Sequence, residues 1–183
     1  MFGKKNHVDI ELNADVERLL KSAKEGVLPI VEAGEPVLRE QCVRYDGQLS
    51  KHTLHKLIET MHKTMLDAPG VGLAGPQIGL NLAIAVVEDH ANGDDDGDPR
   101  EIAEFPFHAI IIAHWHDEDG KEHEEHLHGW PARIFQHETD HLSGELYIDQ
   151  AEIRSLTTVE NLEDFWAQDP VPTQAAKELG FEL

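Results

Sequence analysis

Residues 130–144 read Trp-Pro-Ala-Arg-Ile-Phe-Gln-His-Glu-Thr-Asp-His-Leu-Ser-Gly. At their centre, His137-Glu138-Thr139-Asp140-His141 is an H-E-x-x-H pattern. Residues four apart on an α-helix lie one turn above each other on the same face. His137 and His141 can therefore grip one divalent metal, and Glu138 is placed to take a proton from a metal-bound water. The helix is expected on local grounds. Pro131 suits a first turn, Ala132 through Leu142 contains no breaker, and Gly144 can end the helix in a left-handed conformation. The plainer alternative is an amphipathic surface helix with both histidines and both acids in water.

Bulk properties narrow the choice. A chain of 183 residues suits one domain with a substantial core. The formal net charge of −21 argues against direct contact with nucleic acid, whose phosphates need Lys and Arg, and against an anionic membrane surface. The single cysteine, Cys42, permits no intrachain disulfide and fits a reducing compartment. Neither a signal-peptide apolar core nor a bilayer-length apolar run is visible, so the expected location is cytoplasmic.

Outward from the motif, apolar spacing predicts a short helix over 13–25 capped by Asn13 or Asp15, then an edge strand or extended segment at Val27–Val31. Ala33–Arg39 reads as a turn leading into an extended piece, and Cys42 as a small, partly buried hydrophobe rather than a ligand or nucleophile. Leu54, Leu57, Ile58, Met61, Met65 and Leu66 mark one face of a helix over 50–67 with Ser50 as its cap. Leu82–Val87 and Phe105–Ile112 read as strands, the first buried on both faces. His90–Arg100 reads as an acidic surface loop lacking the register of a calcium loop. Asp117–Gly120 is a hairpin turn before the polar alternation of Lys121–His128, and His114, His116, His123, His126 and His128 read as a solvated acidic-histidine loop. Glu145–Ile148 is expected as a short strand. Helices follow after Thr158 and over Thr173–Leu179, separated by a break at Asp169–Pro172.

Gly70-Val71-Gly72-Leu73-Ala74-Gly75-Pro76-Gln77-Ile78-Gly79 has too many glycines for a regular element. It matches no phosphate-cradling motif. Two readings stay open: a plain connector, or a shaped loop presenting backbone N–H groups and the Gln77 amide.

Three stretches together resemble the peptide deformylase family: that glycine loop (G-x-G-L-A-x-x-Q-I-G), Gln136–Gly144 (Q-H-E-x-D-H-L-x-G), and Pro36-Val37-Leu38-Arg39 (P-x-L-R). The resemblance covers about residues 28–150. It implies an α+β fold, antiparallel strands around a central helix bearing the metal ligands, in a single domain over 1–183 with a helical tail at 151–183. It also implies removal of the N-formyl group from the N-terminal Met of nascent proteins, with Fe2+ as metal and Zn2+, Ni2+ or Co2+ as substitutes. Formyl-methionyl nascent peptides and the ribosome surface are the partners it suggests. His137 and His141 would hold the metal and Glu138 would act as base. Gln77 would donate to the developing oxyanion, and Gly70, Gly72 and Leu73 would line the substrate groove.

One family motif, E-G-C-x-S, is absent. Its cysteine is the third metal ligand in the family. Here Phe107–Ile112 runs almost directly into Ala113–Gly120, as though a middle piece of the sheet were excised. An edge left unpaired and core left uncovered are the expected results. A catalytic site needs about three protein ligands and an open position. Three readings follow: a deformylase homologue with an incomplete site, a working hydrolase with a replacement ligand among His108, His114 and His116, or a non-catalytic peptide-binding homologue that keeps the fold.

Overall fold

The structure is a computed structural model and describes residues 8–88, 110–166 and 173–182. The acidic loop His90–Arg100, His108, the first part of the strand expected at Phe105–Ile112, and the break at Asp169–Pro172 lie outside those residues.

Helix α1 spans Ile10–Ser22, and Asp9 caps it by accepting from the Leu12 N–H at 3.0 Å. The cap thus lies earlier than Asn13 or Asp15. Asn13 instead ties α1 to the next helix, accepting from the Ser50 N–H at 2.9 Å. Helix α2 spans Lys51–Asp67 with Ser50 as its cap, as the sequence indicates. Leu54, Leu57, Met61 and Met65 are buried along one face. They pack with Val16 and Leu20 of α1, Leu28, and Leu73, Ile78, Leu80 and Leu82 of the glycine-loop region. Burial of such side chains supplies most of the driving force, about 1.5–3 kcal/mol each.

A buried hydroxyl completes this core. Thr64 is 1% exposed; its Oγ1 donates to the Thr60 carbonyl at 2.7 Å and accepts from the Leu28 N–H at 3.0 Å. Thr64→Val keeps the shape but strands the Leu28 N–H. Its expected cost is about 1–3 kcal/mol, read as a lower urea midpoint at unchanged slope; an unchanged midpoint would contradict it.

The glycine stretch contains more regular structure than its composition suggests. Gly72–Ala74 form strand β1, and Gly75–Ile78 a 3-10 turn. β1 pairs antiparallel with β2, Ala85–Val87, aligning Gly72 with Val87 and Ala74 with Ala85. The strand expected over Leu82–Val87 is shorter and is not buried on both faces. Leu82 is in the core, but Val87 is 42% exposed. The reason is local: the N–H groups of Leu82 and Ile84 close tight turns onto Leu80 and Leu82 carbonyls, so only the last residues reach a ladder. Likewise, Pro36–Arg39 is a 3-10 turn rather than an extended piece.

A second ribbon pairs β3, Ile110–His116, with β4, Glu122–His128, in antiparallel register from Ile110↔His128 to His116↔Glu122. Asp117 accepts from the N–H groups of Asp119 and Lys121 across the turn, and Gly120 has φ +78°. The histidines expected in a loop are therefore on a regular hairpin, with His114, His116, His126 and His128 on its exposed side. β3 passes without interruption through Ile112-Ala113, where the sequence suggested two joined pieces. Among the described residues each sheet has two strands, and Ile112 is 54% exposed.

Helix α3, Gly129–Ser143, packs against both ribbons and against the turns at 36–39 and 75–78. Gly144 ends it with φ +79°, donating to Asp140 and His141 carbonyls. The segment after it is not a strand. Leu146 N–H donates to Asp149 Oδ2 at 2.8 Å and Asp149 N–H to the Leu146 carbonyl at 2.8 Å, closing a 3-10 turn over Tyr147–Asp149. Helices α4, Val159–Asn161, and α5, Thr173–Leu179, lie in the tail; Thr158 Oγ1 accepts from the Asn161 N–H. The architecture is α+β with short antiparallel ribbons around a central helix.

Candidate metal centre

The buried stripe of α3 is Ala132, Ile134, Glu138 and His141. A carboxylic acid and an imidazole hold positions on this face where an amphipathic helix would carry apolar side chains. Glu138 is 5% exposed and His141 6%. The surface-helix reading is therefore wrong for these two residues.

His137 and His141 approach edge-on, with ring planes at 82° and their Nε2 atoms 3.1 Å apart. Two nitrogens bound tetrahedrally to one ion at ~2.0–2.1 Å would lie about 3.3 Å apart. The pair is thus close to ligand spacing. Burial pushes the His141 pKa down to about 4, with His137 adding to the effect. Burial lowers His137 too, partly opposed by Asp140 and reinforced by Arg133. Both shifts favour the neutral imidazole, the form that binds a metal. Burial alone raises Glu138 to about 8, so its carboxyl keeps a proton at neutral pH until positive charge comes near. Such opposed shifts in adjacent buried groups mark functional sites more often than structural ones.

Glu138 Oε2 and His141 Nδ1 are buried without a hydrogen-bond partner among the described residues. An orphaned carboxyl oxygen beside two imidazoles suits a site that receives a cation and a water. The unpartnered His141 Nδ1 departs from the usual metal-binding histidine, whose second nitrogen donates to a carbonyl or carboxylate. The donor set itself is short: no group of three or more His, Cys, Asp or Glu able to hold a metal occurs among the described residues. His114 and His116 face Glu124 and Glu122 across the ribbon, at 3.6 Å and 3.5 Å. His108 lies outside the described residues. Cys42 is 8% exposed, and burial followed by Glu40 pushes its thiol up, away from the thiolate a ligand requires. The described residues fit two coordination places and supply no third donor.

The glycine loop supplies the other wall. Gln77 Oε1 accepts from the Ala74 N–H at 2.7 Å, which commits the carbonyl end of the amide and leaves Nε2 as its donor end. Gly70 donates to the Met65 carbonyl at 2.9 Å. Leu73 is 2% exposed and belongs to the hydrophobic core, so only its backbone is available to a groove.

Some supporting contacts were invisible in the sequence. Cys42 N–H and the Gln41 amide both donate to the Leu142 carbonyl, at 2.9 Å and 3.2 Å, and Arg39 pairs with Asp149. The P-x-L-R stretch pointed to Arg39, but nothing in the sequence pointed to its partner.

A model of the polypeptide deformylase family matches residues 27–111 and 106–156, two segments that meet where β3 begins. A peptide deformylase of Bifidobacterium adolescentis is 63% identical, with all of both chains aligned. That alignment has 218 positions against 183 residues here, so the relative carries about 35 positions with no counterpart in this chain. A solved class I type b peptide deformylase from Acinetobacter baumannii is 27% identical with a TM-score of 0.58, covering 68% of this chain and 99% of the other. A class I type b peptide deformylase from Acinetobacter baumannii has also been solved with Met-Ala-Ser bound, at 25% identity and TM-score 0.57, covering 68% of this chain and 98% of the other.

Proposed function

This chain belongs to the peptide deformylase family, and from that premise we propose that it hydrolyses the N-formyl amide of formyl-methionyl peptides. The observation that carries the reading is the trio on α3: the imidazole nitrogens of half-buried His137 and buried His141 lie 3.1 Å apart, with the buried Glu138 carboxyl between them in sequence. The family is metal-dependent; the metal proposed here is Fe2+, with Zn2+, Ni2+ or Co2+ as substitutes. His137 and His141 would hold it. Bound there, a divalent cation supplies Lewis acidity that polarises a carbonyl and lowers the pKa of water.

The remaining work falls to side chains. Glu138 takes a proton from the attacking water, whose oxygen bonds to the formyl carbon. Gln77 Nε2 donates to the oxygen that gains charge. The C–N bond then breaks, Glu138 returns its proton to the departing amine, and formate leaves. Gly70, Gly72 and the Leu73 backbone line the groove beside this carbon. The Met-Ala-Ser bound to the Acinetobacter relative is the product that formyl-Met-Ala-Ser would leave.

Formyl-Met-Ala-Ser with added Fe2+, Ni2+, Co2+ or Zn2+, followed by formate release, tests the assignment; no formate with any of the four would overturn it. Gln77→Leu, which cannot donate, is expected to lower kcat about 10²–10³-fold. An unchanged kcat would remove Gln77 from the mechanism. The two-donor set favours one rival, a peptide-binding protein without turnover, which predicts peptide binding and no formate under every metal.

The wider setting is part of the same proposal: one domain with 28–150 as its core and 151–183 as a docking tail, acting in the cytoplasm on nascent chains at the ribosome surface. No helix among the described residues is long and apolar enough to cross a membrane.

A further inference from the structure

Gly72 sits in a stretch whose glycines suggest backbone freedom, yet its own backbone needs none. It lies in extended β1, paired with Val87, and has no positive φ. Any residue could adopt that conformation. By contrast, Gly79 and Gly144 have φ of +78° and +79°. What Gly72 lacks is room. A Cβ placed there would lie 2.7 Å from Glu138 Cδ and 2.9 Å from its Cγ, and closer still to Oε1. At Gly26, Gly75, Gly144 and Gly180 the same space is met by a lysine, by backbone or by an arginine, not by a carboxyl.

Glu138 cannot step aside cheaply. It is 5% exposed, so its alternatives are occupied. Nor can α3 back away. A Cβ on Gly144 would lie 2.8 Å from the Arg39 carbonyl carbon and oxygen, so the helix end already rests on the 39–42 backbone. The Cys42 N–H and the Gln41 amide hold it there through the Leu142 carbonyl. Helix and strand are both fixed, and the carboxyl occupies the gap that the missing side chain leaves.

We propose that Gly72 is a positioning residue: its absent side chain forms the seat of the Glu138 carboxyl and sets where that carboxyl meets the attacking water. This goes beyond a groove-lining role for Gly72, and it rests on Glu138 being the base.

The test combines a stability cycle with steady-state kinetics on the full chain. Gly72→Ala in the otherwise native, metal-free protein is expected to lower Tm by about 3–10 °C. In a Glu138→Ala background, where the seat is vacant, the same change should leave Tm unchanged or raise it, since alanine restricts the unfolded chain. With formyl-Met-Ala-Ser and added Ni2+, Gly72→Ala should lower kcat about 10²-fold while KM moves less than about threefold. An equal Tm loss in both backgrounds overturns the seat. A normal kcat despite the Tm loss overturns the positioning role. A native chain that releases no formate, or a Glu138→Ala chain that releases it normally, sinks the base assignment and the positioning role with it. Because the Tm cycle would stand in that case, the two failures are distinguishable.

Discussion

Glu138→Gln is expected to abolish measurable turnover while making the metal-free protein more stable at alkaline pH. Loss of a positioned base costs on the order of 10²–10⁴ in rate. The stability effect has the opposite sign because the native carboxyl is buried. Its folded pKa is about 8 against an ordinary 4.5, so between those values the folded state binds more protons than the unfolded one. The contribution is fully present below pH ~4.5 and lost as pH rises through 8. Above that, the upper bound on the loss is on the order of 5 kcal/mol. Glutamine has no charge to bury, so the gap between the two proteins opens across this window and then stays constant. His141 acts in the other direction: its folded pKa of about 4, below the ordinary 6.5, means stability is present above 6.5 and lost as pH falls. Glu138→Gln should leave that acid limb in place. Urea titrations with chelator at pH 5, 7 and 9 read both limbs. Parallel curves for the two proteins would show that the carboxyl is not buried in solution.

The second large effect concerns metal retention. With two nitrogen donors on α3 and no third among the described residues, chelator should strip this chain under conditions where a site with three protein ligands stays loaded. Four-ligand zinc sites gain about 10–16 kcal/mol in all, so one missing ligand corresponds to a dissociation constant about 10²–10³-fold weaker. Competition against a chromogenic chelator, using Zn2+ on this chain and on the Bifidobacterium adolescentis relative side by side, measures the difference. His137→Ala should remove what affinity remains. Equal affinity for the two proteins would mean that a third donor exists, and His108→Ala would then show whether it comes from the segment joining the ribbons.

What could be read from the chain beforehand depended on how local each cause is. α2 was legible because one turn of helix repeats along a face and Ser50 caps it, all within neighbouring residues. α3 and its Gly144 stop were legible for the same reason. The cap of α1 was misplaced because Asn13 had a better use, on the Ser50 N–H across the fold. The strand expected at Leu82–Val87 is shortened to Ala85–Val87, and the one expected at Glu145–Ile148 is replaced by a 3-10 turn, because composition cannot show that backbone donors are already spent in tight turns. At the site, H-E-x-x-H gave the pair and the base. The seat under Glu138 and the grip of residues 39–42 on Leu142 join parts of the chain far apart in sequence, and no spacing rule reports them.

The hydrophobic cluster that holds α1, α2 and the glycine-loop region together draws its members from residues 16–82 and includes none from α3. On this basis the cluster and α3 are expected to open as separate cooperative units. In native-state hydrogen exchange, the amides of α2 should open only with global unfolding, while those of α3 open in a cheaper, sub-global event. The helix bearing both histidines would then be the first regular element to come loose, and a ligand that bridges His137 and His141 would be felt there as slowed exchange, with α2 unaltered.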